Sequence, residues 1–366
     1  MMKKTLVFLS LLVFLGGCGG VPEATPEPVD TPVYPEALLL DAHLDIVREK
    51  AYLREHPPLP VEPPVPVPLF DVTRPYGVMI DNHVGARPQS GLSMADVVYE
   101  ALAEGPITRY LLIIPQDEEG VLGPVRSARP YFIDFALDYG SLYAHAGGSE
   151  DAFSALSRLK VASLDGLSSG EAAFYRISER RAPHNLYTTT AGLEKEALRK
   201  GYSLTQEEPV SDLTVYDRFK PLEGDLKVQA FEVIYKPASA SDPVGYGVSY
   251  HYDESRRVYE RRVNLSEQRD AATGELITAG NILIIEMTHQ VLDDAGRRAL
   301  GHIGGGEGYY LTGGEKVPIE WTKESRQTPM TFSLDSQPVV FNPGRIFVQV
   351  VSSLEQYKPL KEDNNE

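Results

Sequence analysis

A single cysteine, Cys18, serves a chain of 366 residues, and that scarcity limits every architecture open to it. No intrachain disulfide can form, so the fold must hold by burial and hydrogen bonding alone. The position of Cys18 narrows the reading further. Lys3 and Lys4 precede an apolar stretch, Thr5 to Leu15, too short for a bilayer-spanning helix of roughly 20 residues and suited to a signal-peptide core. The stretch closes on Leu15-Gly16-Gly17-Cys18, a lipobox: small residues admit the signal peptidase, and the thiol accepts diacylglycerol. The expected product loses residues 1–17 and sits on the extracytoplasmic face of the cell membrane, anchored to the lipid bilayer through acylated Cys18. Two acyl chains, at about 0.8 kcal/mol per buried CH₂, hold a protein firmly. An ordinary secretory signal with an incidental cysteine, or an uncleaved anchor helix, is the alternative.

Residues 18–69 read as a tether. Twelve of the 28 prolines fall between Pro22 and Pro68, and such segments extend as polyproline II spacers. Inside it, Ala37–His56 has amphipathic composition, and Leu40, Leu44, Val47 and Ala51 share one face of the expected short helix.

From 70 to 215 apolar runs alternate with helical patterns, which predicts a layered α/β domain. Tyr76–Ile80, Thr108–Ile114 and Leu142–His145 read as strands. Ser93–Ala103 reads as a helix opened by a capping box from Ser93 to Asp96. Further helices are expected over Pro130–Tyr139, with proline at the first position, over Ser149–Leu159 capped by Ser149, and over Thr190–Lys200 ending at Gly201. From 220 to 355 the pattern turns to period 2, with strands at Gln229–Lys236, Val248–Asp253, Val258–Val263, Ile282–Thr288, Lys316–Trp321, Met330–Leu334 and Arg345–Val351. The overall expectation is α+β: the layered α/β domain, then a mainly antiparallel β domain, then a charged tail over 356–366. Tyr246, Tyr250, Tyr252, Tyr309, Tyr310 and Trp321 either line a groove or pack the sheet.

Polar residues gather at the seams of the first domain. Asp81-Asn82-His83 ends one strand, Arg109 interrupts an apolar run, and Arg126 and Arg129 lie three apart before a helix. His145 ends another strand ahead of Gly147-Gly148, and His184 follows a proline. Arginines beside glycine turns and helix N-termini suit a carboxylate or phosphate, which guanidinium forks and backbone N–H groups bind well. The competing reading pairs these arginines with Asp81, Asp96, Glu100 or Glu104 as an internal network.

Other chemistries find less support. No paired histidine spacing points to zinc, and no cofactor motif is present. Gly147-Gly148-Ser149-Glu150-Asp151 lacks the trailing glycine of a nucleophile elbow. Gly304-Gly305-Gly306-Glu307-Gly308 lacks the Lys-Ser/Thr of a phosphate loop and reads as a turn or bulge in a sheet. Glu100 and Glu104 read as a helix face, though paired carboxylates also serve glycosidases. A net charge of −17 carries no basic footprint for nucleic acid.

The lipobox and proline spacer, with Met79-Ile80-Asp81-Asn82-His83, Ala86-Arg87-Pro88-Gln89-Ser90-Gly91, Gly123-Pro124-Val125-Arg126-Ser127-Ala128-Arg129-Pro130-Tyr131, Pro183-His184-Asn185-Leu186-Tyr187 and Pro318-Ile319-Glu320-Trp321, together resemble the YerB-type bacterial lipoproteins over about Arg74 to Val350. The resemblance implies a two-part extracytoplasmic lipoprotein and no activity, since that family has no agreed catalytic residues. Three functions fit. In the first, Arg87, Arg109, Arg126 and Arg129 bind an anionic cell-wall ligand, with Asp81, His83, His145 and His184 around it. In the second, an envelope hydrolase uses Asp81 or His145 as general base. In the third, the β domain docks a membrane protein partner.

Overall fold

The computed structural model describes residues 45–49, 62–170, 172–222, 224, 226–240 and 242–360. Cys18, the signal peptide and most of the expected tether lie outside the described residues. Within the segment Ala37–His56, residues 45–49 are helical and exposed. The chain from Pro63 onward forms one compact unit. It is α+β with strands predominating.

The elements that position the site are, in chain order, β1 (Tyr76–Asp81), β2 (Val97–Glu104), β3 (Ile107–Ile114), α1 (Pro130–Leu137), β4 (Leu142–His145), α2 (Glu150–Arg158), β5 (Ser163–Asp165) and α3 (Thr190–Arg199). In the second half come β6 (Ala230–Lys236), β7 (Tyr246–Asp253), β8 (Val258–Val263), β9 (Asn281–Glu286), β10 (His289–Val291), β11 (Arg298–Leu300), β12 (Gly304–Thr312), β13 (Glu315–Lys323), β14 (Thr331–Leu334), β15 (Ile346–Val351) and β16 (Tyr357–Pro359).

One twelve-stranded sheet runs through both halves of the sequence, in the order Gln337–Pro338, β14, β13, β12, β9, β15, β2, β3, β1, β4, β5, with Leu226–Lys227 pairing on β13. The late strand β15 lies parallel to both β9 and β2, with Ile346 opposite Val97. A second, antiparallel sheet contains β8, β7, β6 and β16. Val78, Ile80, Val98 and Leu112 face a core shared with Phe231, Val248 and Tyr250 of that second sheet. Met79, Val97, Tyr99 and Leu111 face the opposite core, which holds Phe132 and Phe135 of α1.

Burial on both sides explains the main departure from expectation. Ser93–Ala103 is not a helix. A three-residue turn, Leu92–Met94, leads into β2, whose first seven residues are buried. Val97, Val98 and Tyr99 favour the pleated conformation, and no capping box forms. Instead Asp270 Oδ2 accepts from the Gly91 N–H at 2.7 Å and from the Ser93 N–H and hydroxyl, both at 3.1 Å. Gly91 has φ +98°, where a side chain would strain the backbone and strike Leu122. The Arg345 guanidinium donates to the carbonyls of Ala95 (2.8 Å), Thr278 (2.6 Å) and Ser93.

Three smaller corrections follow. Gly304 to Gly308 form neither turn nor bulge; they are the start of β12, paired in register with Lys323 to Ile319. A Cβ on Gly306 would meet the Trp321 ring at 2.7 Å, so the strand lacks side chains where that indole lies. Tyr357–Pro359, expected in the tail, pairs with β6, and 361–366 lie outside the described residues. Pro66–Pro68, expected in the tether, pairs with Thr214–Tyr216. Of the aromatics, Tyr246, Tyr250, Tyr310 and Trp321 are buried as packing groups.

Candidate functional site

Strands β1, β2, β4, β5, β9 and β15 all run in one direction. Their carboxyl ends therefore share one sheet edge, the usual place for sites in sheets with parallel strands. The N-termini of α1 and α2 reach the same edge, because α2 follows directly on β4 and the Ala128 that precedes α1 bridges to Gly148.

Asp81, the last residue of β1, is 1% exposed. Its Oδ1 accepts from the His83 N–H at 2.9 Å, and its Oδ2 lies 2.6 Å from His184 Nδ1. The His83 and His184 rings stack, 4.5 Å between centroids and 10° between planes. His83 Nδ1 accepts from the Gly85 N–H at 3.0 Å. Burial, and then the neighbouring His184, pull the His83 pKa below its ordinary value, so it is neutral and its proton sits on Nε2. Arg126 Nε lies 3.2 Å from Asp81 Oδ2, misaligned for a hydrogen bond. The Arg126 side chain is 23% exposed, and its guanidinium donates no hydrogen bond to any described residue.

Arg109 stands opposite Asp81 across the β1–β3 pair. It is 2% exposed and donates to the Ser127 carbonyl at 2.7 Å and to Glu104 Oε2 at 2.6 Å. Glu104 Oε1 takes Arg129. Three guanidiniums thus share two carboxylates. Burial lowers the pKa of all three, yet groups that start near 12.5 keep their charge. The Arg129 Nε and the Tyr143 hydroxyl, both buried, have no partner among the described residues.

Two of the sequence candidates lie elsewhere. Arg87 turns back on its neighbour, donating to Asn82 Oδ1 at 3.0 Å and to the Asn82 carbonyl at 2.8 Å, and lies over the Tyr246 ring. It lines a separate cleft of about 360 Å³ with His83, Thr108 and Tyr246. His145 is fully buried, with Nδ1 2.8 Å from the Gly147 carbonyl and Nε2 2.8 Å from Ser163 Oγ. It is an interior histidine with both ring nitrogens engaged. A depression of about 870 Å³ is lined by Pro68 to Thr73, Asp96 and Pro115 to Glu118, with no candidate arginine in its lining.

Glu104 is the residue that sequence reasoning misplaced. Read as a helix face beside Glu100, it is the end of β2, and the Gly105-Pro106 that follows was its available signal. Among the described residues, no group of three or more His, Cys, Asp and Glu could hold a metal ion. No helix among them is long and apolar enough to cross a membrane.

Comparison with known proteins gives concordant matches. Residues 68–203 match the N-terminal domain of a family described as protein of unknown function DUF3048, and residues 240–348 match its C-terminal domain. YerB of Bacillus subtilis (strain 168), whose name carries a lipoprotein designation, is 34% identical over 283 residues, covering 77% of this chain and 82% of YerB. A crystal structure of the YerB protein from Bacillus subtilis superposes with a TM-score of 0.71 at 32% identity, covering 79% of this chain and 94% of that one.

Proposed function

This chain belongs to the DUF3048 family, and on that premise we propose a lipoprotein, anchored through acylated Cys18 on the extracytoplasmic face, that binds an anionic cell-envelope ligand at Arg126. One observation carries the reading. The Arg126 guanidinium is three-quarters buried, sits in a cluster with more arginines than carboxylates, and leaves its donors unused. A partly buried guanidinium that has an ion pair with Asp81 but no hydrogen bond is under-satisfied, and a carboxylate or phosphate accepting its fork relieves the cost. Asp81, with Oδ2 3.2 Å from Arg126 Nε and 2.6 Å from His184 Nδ1, links the guanidinium to the stacked His83–His184 pair. The test is calorimetric titration of the full-length chain in lipid nanodiscs with inorganic phosphate and with a soluble cell-wall stem peptide. Arg126→Gln should weaken binding of one of them at least tenfold while the melting temperature holds. Equal binding by both proteins overturns the reading.

A second reading rests on the Asp81–His184 contact. With Nδ1 held by Asp81 at 2.6 Å, His184 presents an Nε2 that no described residue engages, the arrangement of an oriented general base. It moves the basic role from Asp81 and His145, whose polar atoms are occupied, to His184. Release of soluble products from purified cell-wall material, abolished in His184→Gln, would support it; no turnover at any pH retires it.

A further inference from the structure

We propose that the hollow between the β10–β11 hairpin and the start of α1 binds a carboxylate carried on a short apolar body. The hollow has a volume of about 480 Å³, and Asp81, His83, Arg126 and His184 are not among its lining residues. It is therefore a second position, beyond the anion site proposed above. Pro130, Leu292 and Leu300 supply apolar wall. Arg129 supplies the charge: it is 7% exposed, two of its nitrogens are taken by the Ala128 carbonyl and Glu104, and its buried Nε has no partner. The first turn of α1 adjoins it through Pro130 and Tyr131 with no side-chain cap and no acidic residue, so beyond Pro130, which has no N–H, the positive end of the helix dipole lies beside the hollow.

All but one of the other charged groups at the wall are committed. Asp293 pairs with Arg297, Arg298 donates twice to the Gly105 carbonyl, and His302 Nε2 lies 2.6 Å from Asp134. Asp151, in the first turn of α2, is exposed. What stays open is one set of donors at one end and hydrocarbon at the other. That matches a peptide terminus with small side chains, or a short acyl chain; both present the same carboxylate.

The test uses the full-length chain in lipid nanodiscs with four probes: N-acetyl-alanyl-alanine, its C-terminal amide, hexanoate and inorganic phosphate. The dipeptide acid should bind at least tenfold more tightly than the amide. Leu292→Glu, at a half-exposed wall position, should cost at least tenfold with an unchanged melting temperature, and Arg126→Gln should cost nothing. Binding should also shift the Arg129 Nε–H resonance. Hexanoate binding without dipeptide binding supports the hollow and names an acyl carboxylate as its guest. Dipeptide binding that Arg126→Gln abolishes and Leu292→Glu does not overturns the proposal. Phosphate binding with neither carboxylate bound also overturns it, and leaves the Arg126 site standing.

Discussion

Arg261 donates to Glu100 at 2.6 Å, and neither side chain has any exposed surface. The two residues lie in different halves of the sequence and join the second sheet to β2. Tyr246, Thr108 and Asn82 complete the shell around Glu100, the last two at 2.8 and 3.2 Å from Oε1. Removing one member leaves a buried charge with no counter-ion. Arg261→Met should therefore cost about 3–5 kcal/mol in urea unfolding, and adding Glu100→Leu should restore a large part of it. A double variant as weak as the single one would show that the pair is not the seam.

Glu104 is the counter-ion of both Arg109 and Arg129. Glu104→Gln should lower stability by about 3 kcal/mol, and inorganic phosphate should then raise the melting temperature of the variant more than that of the parent. Thermal scans with and without phosphate read both effects.

His289 provides a pH test. Burial, with Arg298 second, pulls its pKa to about 4, and neither ring nitrogen has a partner among the described residues. Its unfolded value is about 6.5. Between these values the unfolded chain binds the extra proton, so the contribution of His289 is full above about 6.5 and is lost as pH falls toward 4. At about 1.4 kcal/mol per unit, the loss is at most about 3 kcal/mol. Asp96 and Asp138, raised by burial to about 6 and about 7, pull the opposite way. The measurement is the difference between parent and His289→Gln denaturant midpoints at pH 7 and 4.5, where the variant should lose less.

Asp270 fixes the turn before β2 through three hydrogen bonds to Gly91 and Ser93. Asp270→Ala should cost about 2–4 kcal/mol, since bonds to a charged acceptor run near 1.5–3 kcal/mol each and are not additive. Amide exchange over 91–96 should accelerate more than over β1, and uniform acceleration would count against a local role.

Strands with one wet face were legible in the sequence: β8 alternates half-buried and buried residues along its whole length. β2 was not, because burial on both faces removes the alternation and leaves an apolar run that also fits a helix. Pairing was out of reach as well, since nothing local to Ile346 says that it will lie beside Val97. Of the site candidates, Asp81 and His83 stand where β1 ends, as polar residues placed after an apolar run should, whereas Arg109 lies inside a strand and Arg126, Arg129 and His184 reach the same region from loops. Arg87 and His145 satisfy neighbours five and two residues away, and short-range hydrogen bonding of that kind leaves no trace in spacing.

The position of β15 between β9 and β2 has a consequence for biogenesis. Until residue 351 has left the ribosome, β2 presents a bare edge from Val97 to Glu100, and the first half cannot finish its own sheet. Completion is deferred until residues 346–351 are made, long after β2 and β3. A chain cut short before Ile346 should emerge with a sticky flank, prone to self-association and to quality-control proteolysis.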